Sequence, residues 1–276
     1  MTMAATENEI RISSVAGSAP IPGVVMMPRG GSRLVIFSHG IQGNRDEYLD
    51  TQRRLAYMLY ENGVGSLRID YRGHGNSAAS LEEYCIRTQT DDLRRSIDWS
   101  IKEFGLSNVA LAGISFGAPA TLICAARRPS YISKLVLVAP VLDMRTTFIE
   151  PITSWGISKF GLDRIRQALA TGDGIKIDDG YTLGIDVVSE MCEFDIPFFV
   201  SALVDKQIVI FHGSDDDMVP LSSSEAVADA NNNISLVIMP HTEHGLTEVG
   251  DDNYTSKRSM SNATAIVSAL LEEGWS

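Results

Sequence analysis

The chain has 276 residues, of which 44% are hydrophobic, and a formal net charge of −12 at pH 7. This length and composition predict one large domain, or one domain with an insertion, that buries a sizeable core. The negative charge argues against nucleic acid or an anionic membrane as a partner and favours neutral or apolar substrates. No apolar run approaches the ~20 residues that are needed to span a bilayer.

The three cysteines, Cys85, Cys124 and Cys192, lie far apart in the sequence. Their odd number and their spacing predict neither a disulfide framework nor a metal site, as is typical of a reducing compartment. The first residues, Met1 to Glu9, lack the basic and apolar pattern of a signal peptide. The sequence therefore predicts a cytoplasmic protein, and it leaves the oligomeric state open.

Strand-like and helix-like segments alternate along most of the chain. Two short segments at 9–15 and 24–27 predict an antiparallel start, whereas the continuous apolar run Leu34 to Ser38 is typical of a strand buried in a parallel sheet. The alternation predicts an α/β fold, in which helices cover both faces of a mostly parallel, doubly wound sheet. Further strands are predicted at 64–69, 109–112, 134–141, 208–211 and 234–239, and helices at 46–61, 90–104, 118–127, 222–231 and 255–271.

The alternation stops between residues 142 and 205. Long insertions inside compact domains usually form functional lids. We therefore predict an α/β core made of residues 1–141 and 206–276, with an inserted cap over 142–205. Aromatic side chains that simply pack in a core would give the same pattern. The cap contains Trp155, Phe160, Phe194, Phe198 and Phe199, of which Trp155, Phe160 and Phe199 are the predicted substrate-binding residues.

The stretch Gly113-Ile-Ser115-Phe-Gly117 lies between a predicted strand and a predicted helix. This is the context of a nucleophile elbow, in which glycines let the strand and helix backbones approach closely. The turn exposes the serine hydroxyl at a helix N-terminus, where free N–H groups favour negative charge. Ser115 is therefore the predicted nucleophile, and the alternative is an ordinary turn with a capping serine.

Two later loops offer a carboxylate and an imidazole. The loop after the strand at 208–211 contains three consecutive aspartates at 215–217, and the loop after the next strand contains His241 and His244. A neutral imidazole can accept the proton of a serine hydroxyl, and a carboxylate can fix the imidazole tautomer. These residues alone leave open which aspartate and which histidine act, and Asp143 is a further candidate acid.

An oxyanion hole would complete such a site. The loop after His39-Gly40 follows a predicted strand and can supply one backbone N–H, and Phe116 can supply a second. Two such donors stabilise the charge on a tetrahedral oxygen. We interpret His39, His74 and His212 as structural, because polar loop residues usually satisfy backbone groups.

No cofactor or metal site is predicted. The glycines of Gly73-x-Gly75 are too few for a dinucleotide fingerprint. The sequence also contains no H-E-x-x-H motif and no clustered cysteines.

Five blocks of the sequence resemble the α/β-hydrolase superfamily, in the family's order and across nearly the whole chain. They lie at 39–47, 68–77, 113–117, 212–220 and 244–245. More narrowly, the chain resembles bacterial serine esterases of the cinnamoyl/feruloyl-esterase and monoacylglycerol-lipase type. A weaker resemblance links 82–99 and 182–194 to the acyl-carrier-protein thioesterases of bacterial luminescence operons.

This resemblance implies roles for individual residues. The family's register selects Asp216 as the acid and His244 as the base, and Ile41 matches the first oxyanion donor. Ile114 stands where many relatives carry histidine, which changes the packing beside Ser115 but not the chemistry.

We therefore expect an enzyme that hydrolyses carboxylic esters of acyl or aromatic acids through an acyl-enzyme. Its catalytic residues would be Ser115, His244 and Asp216. A thioesterase or acyltransferase would use the same residues, and peptidase or C–C hydrolase activity stays open because a fold does not determine function. The intact serine, aspartate and histidine argue against a non-catalytic ligand-binding protein.

Overall fold

The centre of the protein is a mostly parallel sheet. The computed structural model describes residues 6–14, 17–272 and 274. Its strands, in chain order, are β1 (Asn8–Ile12), β2 (Ile21–Met26), β3 (Leu34–Ser38), β4 (Gly65–Ile69), β5 (Val109–Ile114), β6 (Ile132–Val138), β7 (Ile175–Asp178), β8 (Tyr181–Leu183), β9 (Ile208–Gly213) and β10 (Ile234–Met239). Eight of them form one sheet in the order β1-β2-β4-β3-β5-β6-β9-β10. Strand β2 pairs antiparallel with β1 and β4, and the other pairs are parallel.

Helices cover both faces of this sheet. Alternate side chains of a strand point to opposite faces. Ile36 therefore packs in the core on one face, whereas its neighbours Val35 and Phe37 pack in the core on the other. This arrangement confirms the predicted α/β fold with a mainly parallel sheet. The helices are α1 (Thr51–Glu61), α2 (Ile86–Phe104), α3 (Gly117–Arg127), α4 (Ser154–Lys159), α5 (Leu162–Thr171), α6 (Ile185–Glu193), α7 (Ile196–Ser201), α8 (Leu221–Ala230) and α9 (Lys257–Leu271).

Two predicted elements are shortened where non-glycine residues take a left-handed backbone conformation. The helix predicted from residue 46 begins only at Thr51, because Glu47 and Asp50 have φ angles of 61° and 58°. The strand predicted to reach residue 141 ends at Val138, because Ala139 has a φ of 43°.

Two other boundaries move for local reasons. Helix α2 begins four residues before the predicted position 90, where the Cys85 N–H donates to Thr88 Oγ1 at 2.9 Å. The strand predicted over 9–15 ends at Ile12, and Val15 lies outside the described residues.

Between β6 and β9 the chain leaves the sheet. Residues 142–205 contain α4 to α7 and a separate two-stranded hairpin of β7 and β8. Apolar side chains of this segment, including Phe148, Ile165 and Val187, are buried in the same core as α2 and α3. The segment therefore packs on one helical layer of the sheet. Among the described residues, no helix combines the length and the apolar character that crossing a membrane requires.

Candidate active site

Ser115 lies in the tight turn between β5 and α3, with a left-handed φ of 52°. Its N–H donates to the Val138 carbonyl at 2.9 Å, and its carbonyl accepts from the Val141 N–H at 3.1 Å. A methyl group on Gly117 would clash with the Ser38 carbonyl oxygen, so glycine is required for helix α3 to approach β3 this closely. Strand, turn and helix together hold the Ser115 hydroxyl at the carboxyl edge of the sheet.

A continuous chain of hydrogen bonds links Ser115, His244 and Asp216. Ser115 Oγ lies 2.9 Å from His244 Nε2, and His244 Nδ1 lies 2.7 Å from Asp216 Oδ2. The imidazole tautomer with its proton on Nδ1 donates to the carboxylate and leaves Nε2 to accept from the serine hydroxyl. Asp216 Oδ1 accepts from the N–H groups of Met218 and Val219, both at 2.9 Å. Both carboxylate oxygens are therefore held in place.

The three alternative acids have other surroundings. Asp215 and Asp217 are exposed, and the Asp215 carboxylate accepts from the neighbouring serine hydroxyl at 2.7 Å. The Asp143 carboxylate accepts from the backbone N–H two residues later at 2.8 Å. Of the four candidates, Asp216 is the one that has a hydrogen bond to His244.

Two further histidines lie near this chain of hydrogen bonds in the sequence, His212 at the end of β9 and His241 in the loop after β10. His241 is exposed. His212 is fully buried, where its Nδ1 lies 2.8 Å from Ser224 Oγ and its Nε2 lies 3.2 Å from Asp216 Oδ2. A second imidazole therefore faces the carboxylate oxygen that contacts His244.

His39 holds the backbone at the end of β3. Its Nδ1 donates to the Gly40 carbonyl at 2.8 Å, and its Nε2 accepts from the Tyr71 N–H at 3.1 Å. Burial, together with the nearby His74, lowers the pKa of His39 to about 3. The ring is therefore neutral, as both hydrogen bonds require.

Asp216 and His244 each shift the pKa of the other toward the charged form. Burial alone would favour a neutral carboxyl, yet the imidazoles of His244 and His212 hold the pKa of Asp216 below its usual value. Burial would likewise lower the pKa of His244, but the carboxylates of Asp216, Glu47 and Asp217 raise it above the ordinary imidazole value. The imidazole next to the serine is thus paired with a carboxylate that is ionised at neutral pH.

The two predicted oxyanion donors lie beside the serine. Phe116 follows Ser115 directly, and a methyl group built on Gly40 would lie 3.0 Å from Ser115 Cβ, so the Gly40 backbone also contacts the serine. Within the described residues, neither the Ile41 N–H nor the Phe116 N–H donates to a protein acceptor. The Gly40 N–H donates to the Glu47 carboxylate at 2.5 Å. The Glu47 carboxylate thus holds the start of this loop in place.

A cavity of about 470 Å³ opens at Ser115 and His244. A cavity of this size accepts a small acyl or aromatic group. In the part of the chain that the structure describes, no three histidine, cysteine or carboxylate side chains are grouped to hold a metal ion. The apolar residues that line the cavity include Ile41, Ile114, Val141, Phe148, Trp155, Met218, Val219 and Leu246.

The three predicted substrate-binding aromatics have different positions. Trp155 lines the cavity. Phe160 is buried behind it, with its ring centroid 5.4 Å from that of Trp155. Phe199 packs on Phe194 and Phe198 and is not among the described residues that line the cavity.

Several residues that line this cavity are not singled out by the sequence, among them Glu47 and Phe148. Glu47 lies in the block at 39–47 that resembles the α/β-hydrolase superfamily, and this position could have pointed to it. Its positive φ, which places the side chain, is not visible in the sequence. Phe148 lies in a single wide helical turn at 145–149, and its apolar neighbours form no regular pattern.

A family model of the alpha/beta hydrolase fold matches residues 33–173, about half of the chain. The chain belongs to the α/β-hydrolase family. This confirms the resemblance at the level of the superfamily, while the narrower resemblances stay predictions.

Two proteins of known activity and one solved structure illustrate what the chain is similar to. The mitochondrial palmitoyl-protein thioesterase of Bos taurus is 25% identical over 233 residues, which are 81% of this chain and 70% of that protein. Ethanol acetyltransferase 1 of Cyberlindnera fabianii is 30% identical over 115 residues, which are 39% of this chain and 30% of that protein. The structure of Est1E from Butyrivibrio proteoclasticus with ferulic acid bound has a TM-score of 0.77 at 23% identity, and covers 95% of this chain and 98% of its own. That structural likeness shows the fold.

Proposed function

We propose that this α/β-hydrolase is a serine esterase that cleaves carboxylic esters of acyl or aromatic acids. The observation that carries the proposal is the chain of hydrogen bonds from Ser115 through His244 to Asp216, which lies at the wall of an apolar cavity. A serine hydroxyl becomes a useful nucleophile when a neutral imidazole can accept its proton.

The reaction would proceed in two halves. His244 Nε2 takes the hydroxyl proton as Ser115 Oγ bonds to the ester carbonyl carbon, and Asp216 stabilises the resulting imidazolium. The N–H groups of Ile41 and Phe116 stabilise the tetrahedral oxygen, and one such donor is worth ~3 kcal/mol of the barrier. The imidazolium then protonates the leaving alcohol, and an acyl-enzyme remains. Water, activated by the same imidazole, releases the acid and regenerates Ser115.

Residues 142–205 would form the cap of this site over a core of residues 1–141 and 206–276. Trp155 and Phe148, which this segment contributes, line the cavity, and Phe160 packs against both rings. We infer that these aromatic groups contact the acyl part of the substrate and exclude water from the tetrahedral intermediate.

A thioesterase or acyltransferase is the second candidate. It is favoured by the similarity to the bovine palmitoyl-protein thioesterase over most of this chain, and by the shorter match to an ethanol acetyltransferase. Both reactions would use the same nucleophile and oxyanion hole, since only the leaving group or the acceptor differs.

A cytoplasmic location is also proposed. Cys85, Cys124 and Cys192 are free, which is the usual state of cysteines in a reducing compartment.

The test begins with a fluorophosphonate, which labels an activated serine. We expect labelling of Ser115 in the parent protein and none in Ser115→Ala, whose turnover should fall at least about 10⁴-fold. Hydrolysis of p-nitrophenyl acyl esters, feruloyl esters and acyl thioesters then distinguishes the two candidates. Parent-like turnover in pure Ser115→Ala would contradict both, and a folded parent protein without labelling or turnover would favour a binding protein.

A further inference from the structure

The loop that carries the proposed oxyanion donor Ile41 continues into a constrained residue. Gln42 has a left-handed φ of 61°, which is unfavourable for a residue with a side chain. Such a conformation persists where surrounding contacts impose it. The contacts of Gln42 therefore bear directly on where the neighbouring Ile41 N–H points.

The main chain of Gln42 is bound by the hairpin of the 142–205 segment. Its N–H donates to Tyr181 Oη at 3.3 Å, and the same oxygen lies 2.8 Å from His74 Nε2. His74 Nδ1 in turn donates to the Arg72 carbonyl at 3.1 Å. Burial lowers the pKa of His74 and raises that of Tyr181, so the ring is neutral and the phenol keeps its proton. All three bonds then have one consistent direction, from Gln42 through Tyr181 and His74 to Arg72.

The side chain of Gln42 is bound by the same hairpin. Gln42 Nε2 donates to Asp178 Oδ2 at 2.9 Å. Asp178 also pairs with Lys159 Nζ at 2.8 Å, and that ammonium donates to the Ile177 carbonyl at 2.8 Å. Lys159 thereby connects the hairpin to α4.

We propose that Tyr181 is a positioning residue for the oxyanion hole: by binding Gln42 it orients the Ile41 N–H, so that the 142–205 segment takes part in stabilising the transition state. The inference rests on the proposed function, because Ile41 is a donor only if Ser115 is the nucleophile. It implies that movement of the hairpin away from the sheet would disorganise the oxyanion hole while leaving the Ser115–His244 pair in place.

The test is Tyr181→Phe, which keeps the ring and removes the hydroxyl. We expect kcat to fall about 10–100-fold, less than the roughly 10²–10³-fold of a lost oxyanion donor, with KM changed by less than about threefold. An arylboronic acid, which forms a tetrahedral adduct with Ser115, should bind more weakly by a similar factor. The product carboxylic acid should bind as it does to the parent protein.

One control variant and a second pair of test variants accompany Tyr181→Phe. Thr182→Val changes an exposed neighbour on the same strand and should keep the parent kcat and boronate affinity. Asp178→Ala removes the acceptor of Gln42 Nε2 and should lower kcat in the same manner, whereas Asp178→Asn keeps an acceptor oxygen and should restore it. Melting temperatures identify any variant that has not folded. If Tyr181→Phe does not fold, the Asp178 pair replaces it, and an unchanged kcat in folded Asp178→Ala then overturns the inference.

The outcomes separate this inference from the proposed function. An active parent protein with unchanged kcat and boronate affinity in folded Tyr181→Phe overturns the inference alone. A raised KM with constant kcat also overturns it, because that result indicates a substrate contact. A parent protein that is neither labelled at Ser115 nor active on esters contradicts both.

Discussion

The nucleophile and the oxyanion loop meet at one site but are held in different ways. Ser115 is held by main-chain hydrogen bonds to the end of β6 and to the residues that follow it. The loop that begins at Gly40 forms main-chain turns within itself, such as the bond from the Gly43 N–H to the Gly40 carbonyl at 3.1 Å. Side chains add to these turns, since the Glu47 carboxylate binds the Gly40 N–H and Tyr181 binds Gln42.

The difference predicts how each part responds to substitution. Main-chain bonds at the edge of a sheet are lost only when the local fold is lost, so changes at the serine turn should affect stability and activity together. A side-chain contact can be removed by one substitution, so changes around the loop should affect activity at little cost in stability. The loop also contains Gln42, Glu47, Leu49 and Asp50 at positive φ, and such conformations depend on their surroundings.

After the loss of Ser115 itself, the largest effect should come from the carboxylate that binds His244. Asp216→Asn should lower kcat roughly 10³–10⁴-fold, because an amide no longer fixes the His244 tautomer or stabilises the imidazolium. Steady-state kinetics on a p-nitrophenyl ester measures it. Asp215→Asn and Asp143→Asn are the matched controls and should stay near the parent rate. A larger loss in either control would assign the acid to a different aspartate.

Two glycine substitutions test the comparison directly. In Gly117→Ala the new methyl group meets the Ser38 carbonyl oxygen, which cannot move without the strand, so unfolding free energy should fall by about 1–3 kcal/mol or more. In Gly43→Ala the methyl group would lie 2.8 Å from Glu47 Oε1, the end of a side chain that can rotate away.

Gly43→Ala should therefore cost less than about 1 kcal/mol of stability and still lower kcat, because Glu47 releases the Gly40 N–H. Urea unfolding and kinetics on the two variants provide the measurement. Equal stability losses would mean that the loop is as firmly held as the serine turn.

The sequence predicts the serine turn and the strands around it better than the loop at 40–50. Apolar runs locate β3, β5 and β9 to within two residues, and loops that follow such strands meet at one edge of the sheet. The loop at 40–50 has no such pattern. The sequence predicts a helix from residue 46. The positive φ angles of Glu47, Leu49 and Asp50 prevent it, and they are not visible in the sequence because none of these residues is a glycine.

The support from the hairpin is equally hidden in the sequence. Tyr181 and Gln42 are far apart along the chain, and only the folded segment brings them together. The Gly/Asp-rich composition around residues 171–180 indicates a turn, but not which strands it joins or what they contact.

The proposed cap at 142–205 should control selectivity between acyl groups rather than the rate of the chemical step. Trp155→Ala removes a ring from the cavity wall and should change the discrimination between acyl groups by about 1–3 kcal/mol. Phe199→Ala, outside the cavity lining, should have a smaller effect. The acyl-chain profile of each variant, measured beside its fluorophosphonate labelling rate, separates selectivity from chemistry. If both variants keep the acyl-chain profile of the parent protein, the specificity pocket lies elsewhere.

The smallest change should be a displaced pH profile. The rate constant kcat/KM falls as the pH drops through the pKa of His244, because a protonated imidazole cannot accept the serine proton. The Glu47 carboxylate contributes to raising that pKa. Glu47→Gln keeps an oxygen acceptor for the Gly40 N–H but removes the charge, so the acid limb should move to lower pH while the maximal rate changes little. A shift to higher pH would contradict this electrostatic role.

The buried state of His39 has a consequence for reading such profiles. With its pKa lowered to about 3, and with that of His74 also lowered, neither ring gains a proton near neutral pH. A logarithmic plot of kcat/KM against pH therefore receives no contribution from these two histidines on its acid side. The acid limb then reports the groups that remain in the cavity, which include His244 and the Glu47 carboxyl, whose pKa burial raises. Comparing the parent protein with Glu47→Gln separates the contributions of these two side chains.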